Sequence, residues 1–443
     1  MDVFSLAMKI TAFWFRRDLR LHDNFGLIQA INAGHPVLCF FIFDKYILDK
    51  LEDKQDARVQ FIHQSISDLK LKLQSLGSDL VVGHGHPEKI WSGWLEKYPI
   101  QAIYTNRDYE SYANTRDQSI LNLCQSKNIR FQTFKDQVIF EKNELCKDDG
   151  TPYTVFTPYK NKWLKKATEL GFPNALLSNE LKLSDSQFFS LKSENMISLS
   201  ELGFEPSEIK IPSSELELDK IKNYSKQRDY PILDGTSHLG IHLRFGTISI
   251  RELLFRSWKL DETFVSELIW RDFYSMILQS FPHVEHSSFK KQYDQIQWVN
   301  DEQQFEAWCA GQTGYPMVDA GMRELNATGF MHNRARMITA SFLVKHLLID
   351  WRWGEAYFAK KLLDFDLASN NGGWQWAAGS GTDAAPYFRI FNPAAQQKRF
   401  DPQYGYIKKW IPEFDSFSYP KPIIEHEFAR KRCLEVYKIS LNN

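Results

Sequence analysis

The chain has 443 residues, 54 Lys and Arg against 55 Asp and Glu, and 43% hydrophobic residues. That length predicts two or three domains, and no apolar run approaches the roughly 20 residues that a membrane-spanning helix needs. A net charge of −1 excludes a globally basic nucleic-acid binder, so any contact with DNA must come from a local patch.

The opening run MDVFSLAMKITAFWF lacks a basic start, so no secretory signal is expected. Met8 is a second candidate start. Strand-like runs then follow at Ile10 to Phe15, Pro36 to Asp44, Asp79 to Gly85, Gln101 to Asn106 and Arg130 to Asp136. Helical patterns lie between them, such as ARVQFIHQSISDLKLKLQSLG, with apolar residues at three- and four-residue spacing. This alternation predicts a doubly wound parallel sheet over 8–136. No GxGxxG follows the first strand, which argues against a nicotinamide-dinucleotide site. The pattern loosens from Asp148 to Tyr224, and 137–223 reads as a linker. From Tyr224 helical patterns dominate, predicting an all-α domain over 224–443. The five cysteines (Cys39, Cys124, Cys146, Cys309, Cys433) are far apart and odd in number. They read as reduced thiols of a cytoplasmic protein, with no metal expected.

The stretch from Thr313 to Pro393 concentrates chemistry: TGYPMVDAGMRELNATGFMHNRARM, LLIDWRWGEAYF and LLDFDLASNNGGWQWAAGSGTDAAPYFRIFNP. Buried carboxylates and guanidinium groups must be paired, and buried Asn must find partners. The mixture reads as a pocket for a large, flat, polar-edged ligand. With WFRRDLRLHDN, TPYKNKWLKK, QRDYPILDGTSHLG, ELIWRDFYSMIL and YPKPIIEHEFARKRCLEVYK, it closely resembles the photolyase/cryptochrome family. Within that family the nearest likeness is to class I cyclobutane pyrimidine dimer photolyases. The resemblance covers almost the whole chain. It implies an N-terminal α/β antenna-type domain, a long linker and a helical domain holding FAD.

The resemblance assigns roles to individual positions. Tyr224, Thr236, Ser237, His238, Leu239 and Gly240 fall at the FAD phosphates, where hydroxyls and backbone N–H groups suit a diphosphate. The family often carries a hydroxyl where this chain has Gly240. Arg336 and Asp364 pair beside the isoalloxazine, Asp366 meets its pyrimidine edge, and Asn370 faces N5. Asn is a poor acid, and Asp stands there in plant-type cryptochromes, so Asn370 favours repair over signalling. Trp298, Trp351 and Trp374 fall on the electron-transfer chain used in photoreduction; by composition alone they read as core.

Other positions fall at the lesion. Asn333 and Met337 stand where photolyases of pyrimidine (6-4) photoproducts carry His, and here they match dimer photolyases. Asn333 also lies near the flavin. Glu267 is expected to bond a base of the dimer, with Trp270 and Trp376 walling the pocket. Base–aromatic stacking, worth roughly 1–3 kcal/mol per base, offsets much of the cost of extruding the dimer. Arg334 and Arg389, then Arg228, Lys160, Lys398 and Arg399, are candidate phosphate contacts.

The implied activity is light-driven repair of pyrimidine dimers by electron transfer from reduced FAD, in a monomer that binds damaged DNA and no membrane. A cryptochrome-type blue-light receptor is the alternative; WRWG from Trp351 to Gly354 also occurs in plant cryptochromes, but no long output tail follows the family core. A second antenna chromophore, folate or deazaflavin, is left open. Glu110 matches an acidic folate contact, whereas Glu285 and His286 replace a Cys-Lys pair found in some folate-binding relatives.

Overall fold

The structure is a computed structural model that describes residues 9–177 and 183–442. The alternative start, Met8, and part of the expected linker, 178–182, lie outside them. Two compact units are present, and neither is a single run of chain. The first comprises Met1–Glu141, Ala167–Ser214 and Ile241–Arg256; the second comprises Lys142–Lys166, Glu215–Gly240 and Ser257–Asn443.

The first unit is built on five strands: β1 (Ile10–Phe15), β2 (Val37–Asp44), β3 (Leu80–Gly85), β4 (Ile100–Asn106) and β5 (Arg130–Phe134). They form one sheet in the order β3-β2-β1-β4-β5, with every pairing parallel. Strand β1 is central, with Phe13 opposite Cys39 of β2 and Tyr104 of β4. A parallel sheet is covered on both faces, so its strands read as continuous apolar runs rather than alternations. Phe13, Phe15, Phe41 and Phe43 fill one face with Ile66 and Leu69 of the Ala57–Ser75 helix. Trp14, Phe40 and Ile42 fill the other with Trp91 and Ile120.

The expected linker is not uniformly loose. Phe188, Leu202 and Phe204 are buried in the first sheet face, and the Phe189 N–H donates to the Val37 carbonyl at 2.8 Å. Their isolation in a Ser- and Lys-rich stretch gives no period to read. WFRRDLR serves this unit's architecture: Arg20 reaches both oxygens of Asp136 at 2.9 Å, and Arg251 reaches the same carboxylate at 2.7 Å.

The second unit is helical. Its main helices are Glu262–Ser280, Pro316–Thr328, Asn333–Ser341, Trp351–Lys361, Leu367–Ala378 and His426–Asn442. Their starts carry the expected chemistry: Asp261, Asp350 and Asp366 accept backbone N–H bonds, and Pro316 opens its helix. Gly329 and Gly379 close two helices at φ +67° and +88°, a conformation that favours glycine. One core joins Trp308, Met317, Ile338, Phe342, Trp351, Phe358 and Trp374. Among the described residues no helix is long and apolar enough to cross a membrane, and no group of acidic, His or Cys side chains has metal-site geometry.

Candidate functional site

All the residues assigned to the large ligand lie in the second unit. The Asp234–Gly240 loop is held by its own polar groups. Asp234 accepts from Lys220 at 2.8 Å and lies 3.0 Å from His238 Nε2. His238 is left-handed at φ +52°, and the Thr236 hydroxyl lies 3.4 Å from its ring nitrogen. Ser237 Oγ accepts from the Leu239 N–H at 3.5 Å. Both glycines of the loop are places of close approach. A Cβ at Gly235 would lie 2.6 Å from Gln227 Cβ, and one at Gly240 would lie 2.7 Å from Asp364 Cβ. Gly240 is therefore a packing requirement here, not a hydroxyl simply lost.

Asp364 in turn receives Arg336 Nη2 at 2.9 and 3.1 Å. The remaining direction of that guanidinium is fixed by Nε donating to the Met331 carbonyl at 2.7 Å. The structure thus brings Gly240, Asp364 and Arg336 together. Asp366 caps the Leu367–Ala378 helix by accepting from the Ser369 N–H at 3.1 Å. Asn370, in the first turn, donates Nδ2–H to the Glu355 carbonyl at 3.1 Å, and its Oδ1 has no donor among the described residues. Tyr224 sits edge-on to Phe264, with ring centroids 5.3 Å apart.

The expected lesion residues are held in separate local contacts. Glu267 is engaged by an ion pair with Arg228, whose guanidinium lies 5.3 Å over the Tyr224 ring. Arg334 pairs with Asp229 at 2.6 Å and lies 4.1 Å over Phe400. Asn333 Nδ2 and Arg334 Nη1 both approach Met337 Sδ at 3.9 Å. Trp270 stacks on Phe156, with centroids 3.6 Å apart and planes 8° apart. Trp376 lies 6.4 Å from Phe391 at 44°. Arg389, Lys398 and Arg399 are exposed, and Arg399 leans over Phe400 at 5.0 Å. Lys160 lies half-buried on the Phe156–Glu169 helix.

The three tryptophans follow a gradient. Trp374 and Trp351 are buried in the shared core, and Trp298 packs at its margin, half-buried. The WRWG glycine has a local cause: a Cβ at Gly354 would overlap the Trp374 indole. The motif is a socket for that ring.

Two family models match the chain: the DNA photolyase model over residues 11–177 and the FAD binding domain of DNA photolyase over residues 264–418. A deoxyribodipyrimidine photo-lyase of Alkalihalophilus pseudofirmus is 36% identical, across 97% of this chain and 98% of its own. The chain belongs to the photolyase/cryptochrome family. Among solved structures, a bacterial class III photolyase from Agrobacterium tumefaciens matches with TM-score 0.85 and 31% identity, over 100% of both chains. An archaeal photolyase from Sulfolobus tokodaii, solved with two FAD molecules, matches with TM-score 0.83 and 35% identity over 98% of this chain and 100% of its own.

The residues in place fit the FAD that this family's domain implies. Asn370 Oδ1 is an acceptor left for a ring N–H, and Arg336, tied to Asp364, is a fixed cation. His332, missed by the sequence reading, adds a buried donor: its Nδ1 accepts from the Arg334 N–H at 3.1 Å, while Nε2 is buried without a partner. Burial, then Arg336 and Arg334, pushes its pKa down to about 4, so the ring is neutral with the proton on Nε2. Glu355 was also missed. It accepts from Asn371 at 3.0 Å, and burial pushes its pKa up to about 7. His332 lies inside MHNRARM and Glu355 directly follows WRWG, so the motifs pointed to their neighbourhood but not to their burial.

The antenna positions fall elsewhere. Glu110, in the first unit, accepts from Arg17 at 2.8 Å and Arg244 at 2.6 Å, so two guanidinium groups already hold it. Glu285 ends the short Pro282–Glu285 helix, and the His286 carbonyl accepts from Arg352 at 3.1 Å.

Proposed function

We propose that this protein repairs cyclobutane pyrimidine dimers in DNA under blue or near-ultraviolet light. The observation that carries the reading is the pairing of Asn333 with Met337, an amide and a thioether 3.9 Å apart, at the two positions where the (6-4) branch of the family places imidazoles. Support comes from the full-length likeness to a deoxyribodipyrimidine photo-lyase.

Bound, reduced FAD would supply the photochemistry, a light-driven one-electron donor for opening the cyclobutane ring. The chain's own work is to bind, orient and exclude water. Thr236, Ser237, His238 and Leu239 would hold the diphosphate, with Gly240 keeping the loop against Asp364. Arg336, tied to Asp364 and the Met331 carbonyl, holds a positive charge by the ring and favours an anionic reduced flavin. Asn370 accepts at N5 without offering an acidic proton. Glu267 turns from Arg228 to a base of the extruded dimer, Trp270 and Trp376 stack on it, and Met337 closes an apolar wall. Arg334 and Arg389 take the flanking phosphates. Trp298, Trp351 and Trp374 would offer an electron path through the core for photoreduction.

The test is direct. Dithionite-reduced protein is incubated with an oligonucleotide bearing one thymine dimer, and intact thymines are counted by chromatography after blue light and after darkness. Light-dependent restoration is expected. No restoration with reduced FAD bound would shift the reading to another lesion or to signalling. The WRWG motif does not itself favour signalling, because its glycine is explained by the Trp374 ring.

A further inference from the structure

Arg228 and Asp229 are neighbours in the chain, and each holds one of the expected lesion residues. Arg228 pairs with Glu267 on the Glu262–Ser280 helix. Asp229 pairs with Arg334 on the Asn333–Ser341 helix, Oδ1 to Nη2 at 2.6 Å. One dipeptide therefore engages the base-facing carboxylate and a phosphate-facing cation at once. Its own position is fixed from behind, since Gly235 of the phosphate loop packs on Gln227. The Arg334 plane is fixed too, by the Phe400 ring 4.1 Å below. A carboxylate and a phosphodiester present the same anionic oxygens to a guanidinium. The Asp229 side chain is 42% exposed and that of Arg334 17%, so the carboxylate stands on the solvent side of the pair, where a DNA strand would arrive.

We propose that Asp229 is a phosphate surrogate: it occupies Arg334 in the free protein, is displaced by a backbone phosphate when DNA binds, and returns when the strand leaves. It acts through Arg334 and is a positioning residue that sets affinity and release. The inference rests on the DNA-binding reading above. A partly exposed ion pair is worth about 0–1 kcal/mol, so the competitor is weak enough to be displaced.

The experiment is a double-mutant cycle on the FAD-loaded, full-length protein. Dissociation constants are measured in the dark, by fluorescence anisotropy, for labelled oligonucleotides with and without one thymine dimer. Asp229→Asn is expected to tighten binding about two- to fivefold and to do nothing when Arg334 is Gln. Asp229→Glu, which restores the carboxylate, should bind like the wild type. Unchanged or weaker binding by Asp229→Asn would overturn the proposal. So would equal tightening in the Arg334→Gln background, which would mark a general loss of negative charge. Should Asp229→Asn lose its flavin, Asp229→Ser replaces it in the same cycle. Wild-type protein that binds both oligonucleotides alike would instead fault the lesion reading, and the cycle on undamaged DNA would still decide the role of Asp229.

Discussion

Glu267 has one partner in the free chain and another in the proposed complex, and that double engagement makes its removal informative. Glu267→Ala frees Arg228 and deletes the group expected to read a base. Affinity for undamaged DNA should hold or rise, while discrimination in favour of a dimer should fall about tenfold, the worth of one charge-assisted hydrogen bond. Paired binding measurements check this, and unchanged discrimination would remove Glu267 from the lesion. Gly240 poses the opposite question, because relatives often carry a hydroxyl there. With a Cβ 2.7 Å from that of Asp364, Gly240→Ser should push Asp364 off Arg336 at a cost of about 1–3 kcal/mol. Lower FAD content and a lower Tm are expected, not a gained phosphate contact. Such facts were illegible in the sequence. Arg228 and Glu267 stand 39 residues apart, and Asp229 and Arg334 stand 105 apart; no periodicity links them. The Arg336–Asp364 pair was legible only through the likeness of whole motifs to a known family.

Among the elements, the central strands β1 and β2 were easiest to read, because burial on both faces makes each a continuous apolar run. The helical core was harder, since its expensive residues serve each other. The Trp351–Lys361 helix shows how: Gly354 exists so that the Trp374 ring can lie against it. Gly354→Ala should cost about 1–3 kcal/mol and slow photoreduction while leaving repair by chemically reduced protein intact. Thermal unfolding and flavin absorbance under light separate the two effects. The π-helical turn Phe342–Leu347 carries buried His346, whose Nε2 lies 2.8 Å from Nδ1 of the half-buried His426 on the His426–Asn442 helix. Burial, then His426 and Arg432, pushes the His346 pKa down to about 3. An unfolded His titrates near 6.5, so this stability is fully present above that pH and is lost as pH falls from there towards about 3. At about pH 5 the loss is about 2 kcal/mol for this one group. His346→Asn should flatten the acid limb of Tm against pH between about 7 and 5, and an unchanged slope would refute the assignment.

Across the whole molecule, near-neutral charge sets the terms of DNA binding. With 54 basic and 55 acidic residues, attraction must come from a few arginines and lysines. Three or four phosphate contacts predict that log K falls with log salt at a slope of about −3. Titrations at several salt concentrations check this; a slope of about −6 or steeper would demand a wider basic surface than Arg334, Arg389, Arg228 and Lys160 provide. The division into two units, each assembled from separate stretches of chain, was also beyond the sequence. Phe188, Leu202 and Phe204 belong to the sheet core although their surroundings read as linker, because core membership depends on where a side chain lands and not on the polarity of its neighbours.

Phe156 stacks on Trp270 with 3.6 Å between centroids and 8° between planes, and Tyr274 and Phe273 lie 5.3 and 5.6 Å from the same indole. The ring is braced before any base arrives. A nucleobase stacking there would meet an indole already ordered, so little side-chain freedom is left to lose on binding.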